Sequence, residues 1–387
     1  MTGRSPRVRH VYIYVHDLRS SGVVRNAIDY AARIARDAPT VLVAGYGQGF
    51  FREQAAAGGF GLHVLAQTPG PLPRLAAALR LRRWLRGQPP GVLLSAGNMG
   101  HPTPYLACRG LDHIARVYRI SNEIARGDGL RSRLRQRWMA RLMRDATRIA
   151  LVGRALRRLD LFAGAVASGF AIEVPNGVDL DHARARAAEP IPHAWLEQDV
   201  PVVVAIGRLR PQKNFDLLID AVGRARGARR LRLVIIGGGT PAERARLGAL
   251  AAGWEEDFLL AGEIDNVFAW LARATVFALP SRWEGSSLAL LEALAVGVPV
   301  VASRLAGDAA YVLGEGRYGR LFDGVDAQAL ADALLGQCGP DRVLPGDRAE
   351  AFSEEAAAEA HAALVRDVLR SSPRFRGEGD RVSSPDR

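Results

Sequence analysis

The sequence predicts an α/β protein built from two doubly wound parallel-sheet domains. Short β-branched or apolar runs alternate with longer helical patterns along nearly the whole chain, as βα units of a parallel sheet require. The series pauses over a Pro- and Ala-bearing stretch at 181–200 and then restarts. The 387 residues also exceed what one hydrophobic core usually holds.

In the first half the strand candidates are 10–15, 40–44, 91–96, 115–120, 148–152 and 171–174. In the second they are 201–206, 231–236, 258–261, 275–279 and 298–302. This gives an expected first domain over 1–180, a linker over 181–200 and a second domain over 201–370. The segment 371–387, rich in Ser, Pro, Gly and charge without an apolar period, reads as a disordered tail. No run approaches the roughly 20 apolar residues that span a bilayer. Met1 to His10 leads straight into the first strand and makes a poor signal peptide. Cys108 and Cys338 lie far apart with no metal or redox spacing, so a reducing cytoplasm without a disulfide is expected.

Charge divides unevenly. Residues 1–180 hold 27 Arg against 11 Asp and Glu, whereas 181–387 hold 25 Lys and Arg against 29 Asp and Glu. Base composition explains arginine over lysine but not this split, which points to a polyanionic partner for the first half alone. On a helical wheel over 131–148, Arg133, Arg137, Arg141, Arg144 and Arg148 fall within about 80°. Leu134, Trp138, Met139, Leu142 and Met143 take the other side. Arg74, Arg80, Arg82, Arg83 and Arg86 surround Leu79, Leu81 and Trp84 in the same manner. Each helix reads either as an ordinary amphipathic helix on its own sheet or as an arginine face against anionic lipid. Neither a recognition-helix pattern nor base-stacking aromatics point to nucleic acid.

Lys213 is the only lysine among 52 basic residues. It lies in Gly207-Arg208-Leu209-Arg210-Pro211-Gln212-Lys213, directly after a strand. A glycine at a strand end permits a tight turn, and a cation pair beyond it suits a diphosphate. Gly237-Gly238-Gly239 follows the next strand, with Pro241 placed for a first helical turn that favours an approaching anion. Glu263 lies in the loop after 258–261, near where a nucleotide base would sit. Ser281-Arg282-Trp283-Glu284-Gly285-Ser286-Ser287-Leu288 follows the strand 275–279 and opens a helix, with Glu284 expected at the helix start. Glu292 would then lie about 12 Å up the same helix. Carboxylates so spaced are too far apart for a close acid/base pair, but they suit hydroxyls at opposite ends of an extended ligand.

Glu284-x7-Glu292 with Arg208 and Lys213 upstream resembles the retaining glycosyltransferases of family 4, the glycogen-synthase-like and polysaccharide- or lipopolysaccharide-building enzymes of GT-B fold. Pro175-Asn176-Gly177-Val178-Asp179 resembles that group's interdomain signature, and Ser20-Ser21-Gly22 its first-domain loop. The resemblance implies two Rossmann-like domains facing across a cleft, the first binding acceptor and the second binding a nucleotide sugar. It implies that Arg208 and Lys213 neutralise the diphosphate, that Glu292 accepts from the ribose, and that Glu284 accepts from the donor sugar. Gly285, Ser286, Ser287 and Leu288 would offer N–H groups, and Gly22 would approach the phosphates. Catalytic roles thus fall on Arg208, Lys213 and Glu284, and donor contacts extend to Gly237 and Glu263. Relatives often carry a histidine after the strand matching 115–120; here Ser121-Asn122 stands there, and Asn122 is a candidate sugar or acceptor contact. His16, His101 and His113 read as structural. The glutamate that relatives place near Gly307-Asp308-Ala309-Ala310 is absent.

The implied activity is metal-independent hexosyl transfer, with retention, from a UDP- or GDP-sugar to a bacterial cell-surface glycan. The acceptor would be a lipopolysaccharide, exopolysaccharide or lipid-linked saccharide, reached by a peripheral protein at the inner face of the cytoplasmic membrane. Three rivals are a nucleotide-sugar 2-epimerase-like isomerase, an NAD(P)-dependent oxidoreductase and a non-catalytic sugar-nucleotide binder. The second draws on Gly237-x-Gly239-x-x-Ala242 with acids at 255–257, which leaves Lys213 and the glutamates unexplained. Asp179-Leu180-Asp181 resembles a metal motif, but the interdomain signature accounts for it.

Overall fold

The structure, a computed structural model, describes residues 9–372 and 374, apart from 20, 123–128, 192 and 198. The expected tail therefore lies almost wholly outside the described residues. The chain forms two compact units: Met1–Val152 with Leu156–Pro175 and Ala357–Arg387, and Asn176–Ala356 with Gly153–Ala155.

The first unit holds β1 (His10–Val15), β2 (Thr40–Ala44), β3 (Gly61–Val64), β4 (Gly91–Ser95), β5 (Ile114–Ile120), β6 (Arg148–Leu151) and β7 (Ala171–Glu173). Their order is β3-β2-β1-β4-β5-β6-β7, and every pairing is parallel. Residues of β1 alternate between two cores. Val11, Ile13 and Val15 face helix Gly22–Ala35 and the C-terminal helix, while Tyr12 and Tyr14 face Leu81 and Leu85 of helix Pro73–Arg86. That period of two on a sheet buried on both sides is the mark of a doubly wound fold.

The second unit holds β8 (Val202–Ile206), β9 (Arg232–Ile236), β10 (Phe258–Gly262), β11 (Val276–Leu279), β12 (Val300–Ser303) and β13 (Arg320–Phe322). Their order is β10-β9-β8-β11-β12-β13, again parallel throughout. Val202 and Val204 face one core, Val203 and Ala205 the other. In both units the order reverses beside the first strand, between β1 and β4 and between β8 and β11. Ligands of open α/β sheets bind at such switch points, beyond the carboxyl ends of the strands.

All eleven expected strands form, within a residue or two at their ends. Two short strands were not expected, β3 and β13. Gly-Leu-His-Val and Arg-Leu-Phe are too short to show a period, and β3 and β13 are edge strands that need less apolar sequence. The unit boundaries also differ from those expected. The chain changes unit at 175/176, not 180, and 181–200 belongs to the second unit, with helix Leu180–Ala187 packed in its core. Helix Glu354–Ser371, expected in the second domain, lies from Ala357 onward in the first unit. His361 anchors it there: its ring stacks on Tyr30 at 3.7 Å between centroids, and its Nε2 accepts from Arg119 Nε at 3.1 Å.

Candidate functional site

The loops after β8 and β11, on either side of the second unit's switch point, are joined by one ion pair. Lys213 Nζ lies 2.7 Å from Glu284 Oε1, with side chains 17% and 10% exposed. The turn Pro211–Lys213 is fastened to 281–284 at several further points. Arg282 N–H donates to Gln212 O at 2.9 Å, Arg282 Nε to Asn214 Oδ1 at 3.0 Å and Gln212 Nε2 to Trp283 O at 2.9 Å. Asn214, in left-handed backbone with φ +54°, ends the turn and opens helix Phe215–Ala225.

Glu284 is well supplied with donors. Its Oε1 also accepts from Ser281 Oγ at 2.8 Å, and its Oε2 from Gln212 Nε2 at 3.3 Å. A carboxylate offers about four lone-pair positions, so Oε2 retains capacity, and an ammonium donates three times, so Lys213 does too. Lys213 packs over Gly207, where a Cβ would lie 2.5 Å from Lys213 Cε. Only glycine leaves room for that side chain. Gly237 serves a similar purpose, since a Cβ there would overlap Gly207 O. Glu263 is exposed and folds across Gly238. Arg208 is exposed and enters no ion pair among the described residues.

Two expectations about helix starts need correction. Helix Leu288–Ala295 begins four residues after Glu284, with Ser287 as its N-cap. Glu284 therefore sits in a loop, and Glu292 is only about 6 Å beyond Leu288 along the axis, so the two carboxylates do not share a helix. Local pattern misplaced the start because long-range partners fix Glu284. Glu292 is the one charge in an otherwise apolar helix and is 6% exposed. Secondly, the helix after the Gly237 loop does not present an open N-terminus. Thr240 and Glu243 form a reciprocal capping box over it, with Glu243 Oε2 accepting from Thr240 N at 2.7 Å. A carboxylate already occupies the place an anion would take, which removes the basis of a dinucleotide fingerprint.

The loop before Leu288 is different. No hydrogen bond among the described residues uses the N–H of Gly285, Ser286 or Ser287. Ser287 Oγ is buried and has no hydrogen-bond partner among the described residues. Free donors, an idle hydroxyl, Lys213 and exposed Arg208 together can hold an anion that carries hydroxyl groups. The loop is shaped from outside: Asn176 Nδ2 donates to Ser286 O at 2.9 Å and Asp308 N to Gly285 O at 3.2 Å. Gln212, Ser281, Asn176 and Asp308 were not among the expected site residues. Gln212 and Ser281 stand beside or three residues from Lys213 and Glu284 in sequence, and Asn176 lies in the Pro175–Asp179 signature, so these three carried some signal, whereas Asp308 stood only in a stretch noted for lacking a glutamate.

In the first unit, Gly22 opens helix Gly22–Ala35 at the β1 end of the switch point, behind N-cap Ser21; Ser20 lies outside the described residues. Asn122 follows β5, and its carbonyl accepts from Asn98 Nδ2 at 3.1 Å, while Ser121 N donates to Asn98 Oδ1 at 3.1 Å. His101 is fully buried on Ser95 Oγ at 2.7 Å, and His113 Nε2 bonds Leu85 O at 3.0 Å, both structural arrangements. Burial lowers the pKa of His16. Both cysteines are free. Asp179 caps helix Leu180–Ala187, accepting from His182 N at 2.9 Å.

The two-unit, all-parallel fold with this switch-point loop defines the class, and comparison with known proteins specifies it. Residues 200–337 match the family described as glycosyl transferases group 1. That match lies wholly within the second unit. It is 36% identical over 214 residues to the GDP-mannose-dependent alpha-(1-6)-phosphatidylinositol monomannoside mannosyltransferase of Mycolicibacterium smegmatis, covering 51% of this chain and 54% of that one. It is 32% identical over 193 residues to a lipopolysaccharide core biosynthesis mannosyltransferase of Rhizobium leguminosarum bv. viciae, covering 46% and 54%. The chain thus spans about half the length of these relatives. Among solved structures, Anabaena HepE in complex with UDP and glucose superposes with TM-score 0.72 at 19% identity, over 93% of this chain and 96% of that one. A glycosyltransferase from Rickettsia africae gives 0.72 at 14%, over 94% and 100%. These two establish the fold, GT-B.

Proposed function

We propose that the protein is a retaining glycosyltransferase that moves a sugar, mannose from GDP-mannose in the first instance, to a cell-surface glycan acceptor. The observation that carries this is the Lys213–Glu284 pair beside the free N–H groups of Gly285 to Ser287. The two mannosyltransferase relatives support the choice of donor. The diphosphate would take Lys213, Arg208 and the loop N–H groups, while the spare Oε2 capacity of Glu284 and buried Glu292 would accept from hydroxyls.

In the reaction, the bond from the sugar's anomeric carbon to the β-phosphate oxygen breaks, and the acceptor oxygen bonds that carbon on the same face. The acceptor's proton goes to a leaving-phosphate oxygen. The products are a nucleoside diphosphate and the glycoside. Arg208 and Lys213 stabilise the charge that develops on the phosphate. We infer that they do so without a metal ion, so EDTA should leave activity unchanged. GDP-mannose incubated with the protein should release sugar of the donor's own anomeric configuration by NMR. Inverted sugar, or none with any nucleotide sugar, would overturn the reading.

We further infer that the basic first unit works against an anionic membrane surface. Among the described residues no helix is long and apolar enough to cross a membrane. Helix Pro73–Arg86 instead leaves Leu75 and Leu79 exposed among Arg74, Arg80, Arg83 and Arg86, with Leu72 exposed just before it. Helix Leu130–Asp145 exposes Leu130 and Leu134 beside Arg133, Arg137, Arg141 and Arg144. Leu134 was expected on the packed side, and Arg148 lies in β6, paired with Asp367 at 3.4 Å. Exposed leucines ringed by arginine suit a headgroup boundary, each charge contributing about 1 kcal/mol there. A lipid-linked or phosphorylated acceptor would be presented at that surface.

A further inference from the structure

The donor loop is fastened to an unusual piece of chain. Gly153–Ala155 belongs by its contacts to the second unit, although Val152 and Leu156 on either side belong to the first. What holds it is Asp308, 6% exposed, at the start of helix Ala309–Val312. Asp308 Oδ2 accepts from Arg154 N at 2.9 Å and its Oδ1 from Ala155 N at 2.5 Å. Hydrogen bonds of this kind, from backbone to an ionised carboxylate, are among the stronger ones in proteins. On its other side the backbone N–H of Asp308 donates to Gly285 O at 3.2 Å.

The fit is tight in both directions. Gly153 has φ +91°, and a Cβ there would overlap the Asp308 carboxylate. Gly307 has φ +58°, and a Cβ there would run into the carbonyls of Glu284 and Gly285. One helical turn on, the Tyr311 ring carries the Arg154 guanidinium at 3.8 Å from its centroid. Neither of the next two loop residues has a bulky side chain to hold the backbone, being Ser286 and Ser287. Asn176 also grips the loop backbone from a connecting segment, through Ser286 O, and Asn176 is where the chain re-enters the second unit.

We propose that Asp308 is a positioning residue for the loop Glu284 to Leu288, setting its N–H groups by tying Gly285 to the Gly153–Ala155 strap. Its role in donor binding rests on the reading of that loop as the donor site. Order in the strap and order in the loop are then one property, and a ligand that settles the loop also settles the strap.

Hydrogen exchange followed by mass spectrometry on the full chain tests this, using wild type, Asp308→Asn, Asp308→Ala and Gly153→Ala. Asp308→Ala should speed exchange in 153–156 and in 284–288 together, with Asp308→Asn intermediate. Gly153→Ala should reproduce the effect from the opposite side and replaces Asp308→Ala if that variant does not fold. In parallel, calorimetric affinity for GDP and UDP should fall about tenfold in Asp308→Ala, the scale of one lost net hydrogen-bond contribution. Faster exchange confined to 153–156 would overturn the proposal and leave Asp308 a local cap. Coupled exchange in a wild type that binds neither nucleotide would uphold the tether and overturn the donor reading instead.

Discussion

Lys213 is held by Glu284 and by the space that Gly207 leaves, so its charge is aimed before any ligand arrives. Removing it has two consequences of opposite reach. Locally Glu284 keeps Ser281 and Gln212 as donors, so the loop should survive. For a ligand, the ammonium opposite the phosphate is gone. Lys213→Ala and Glu292→Gln should each weaken nucleoside diphosphate binding by roughly 1.5 to 3 kcal/mol, the range for a hydrogen bond to a charged group. Unchanged calorimetric affinity in both would remove these residues from the site. Gly207→Ala should weaken binding as well, because the added methyl displaces the Lys213 side chain; affinity equal to wild type would show that this side chain does not need its present path.

At the scale of elements, the strands were readable because β-branched runs end in glycine or polar turns, and because central parallel strands are apolar on both faces. What local pattern missed was decided elsewhere in the chain. Ser287 rather than Glu284 begins the helix, since Glu284 is claimed by Lys213, Ser281 and Gln212. The C-terminal helix is amphipathic by sequence, but periodicity does not say which sheet it covers. His361 decides that, buried against Tyr30 of helix Gly22–Ala35 and Arg119 of β5, with Nδ1 bonded to Ala357 O at 2.8 Å. Burial, with Arg119 adding to it, depresses the His361 pKa to about 3; burial likewise takes His101 to about 3. An unfolded histidine titrates near 6.5. The unfolded chain therefore takes up protons that the folded chain refuses as pH falls from about 6.5 toward 3, and stability falls with it. Each ring should contribute a slope of up to about 1.4 kcal/mol per pH unit in that window. Urea unfolding at pH 7, 6 and 5 should show a shallower slope for His361→Gln, and an unaltered slope would contradict a buried neutral His361.

Across the whole molecule, the charge split visible in the sequence corresponds to the two units, and the second unit carries the recognisable motifs. Lys213 and Glu284, which the structure pairs, were both legible there as strand-end residues, because strand-end loops at a switch point are close in space though far apart in sequence. The strap at 153–155 was not legible, since three residues separated from their unit leave no compositional trace. In the first unit, neutralising Arg74, Arg80 and Arg83 to Gln with Leu75 and Leu79 to Ser should reduce sedimentation with phosphatidylglycerol vesicles and leave nucleotide affinity intact. Vesicle binding equal to wild type would refute the membrane surface. Everything proposed for the second unit turns on a nucleoside diphosphate site built on Lys213 and the loop that follows Glu284. Calorimetric titration with GDP, UDP, ADP and NAD in parallel, on wild type and Lys213→Ala, tests it most directly. A nucleoside diphosphate, GDP foremost, should bind wild type and lose affinity in the variant, while NAD should not bind. Binding of NAD alone, or nucleotide binding indifferent to Lys213, would contradict it.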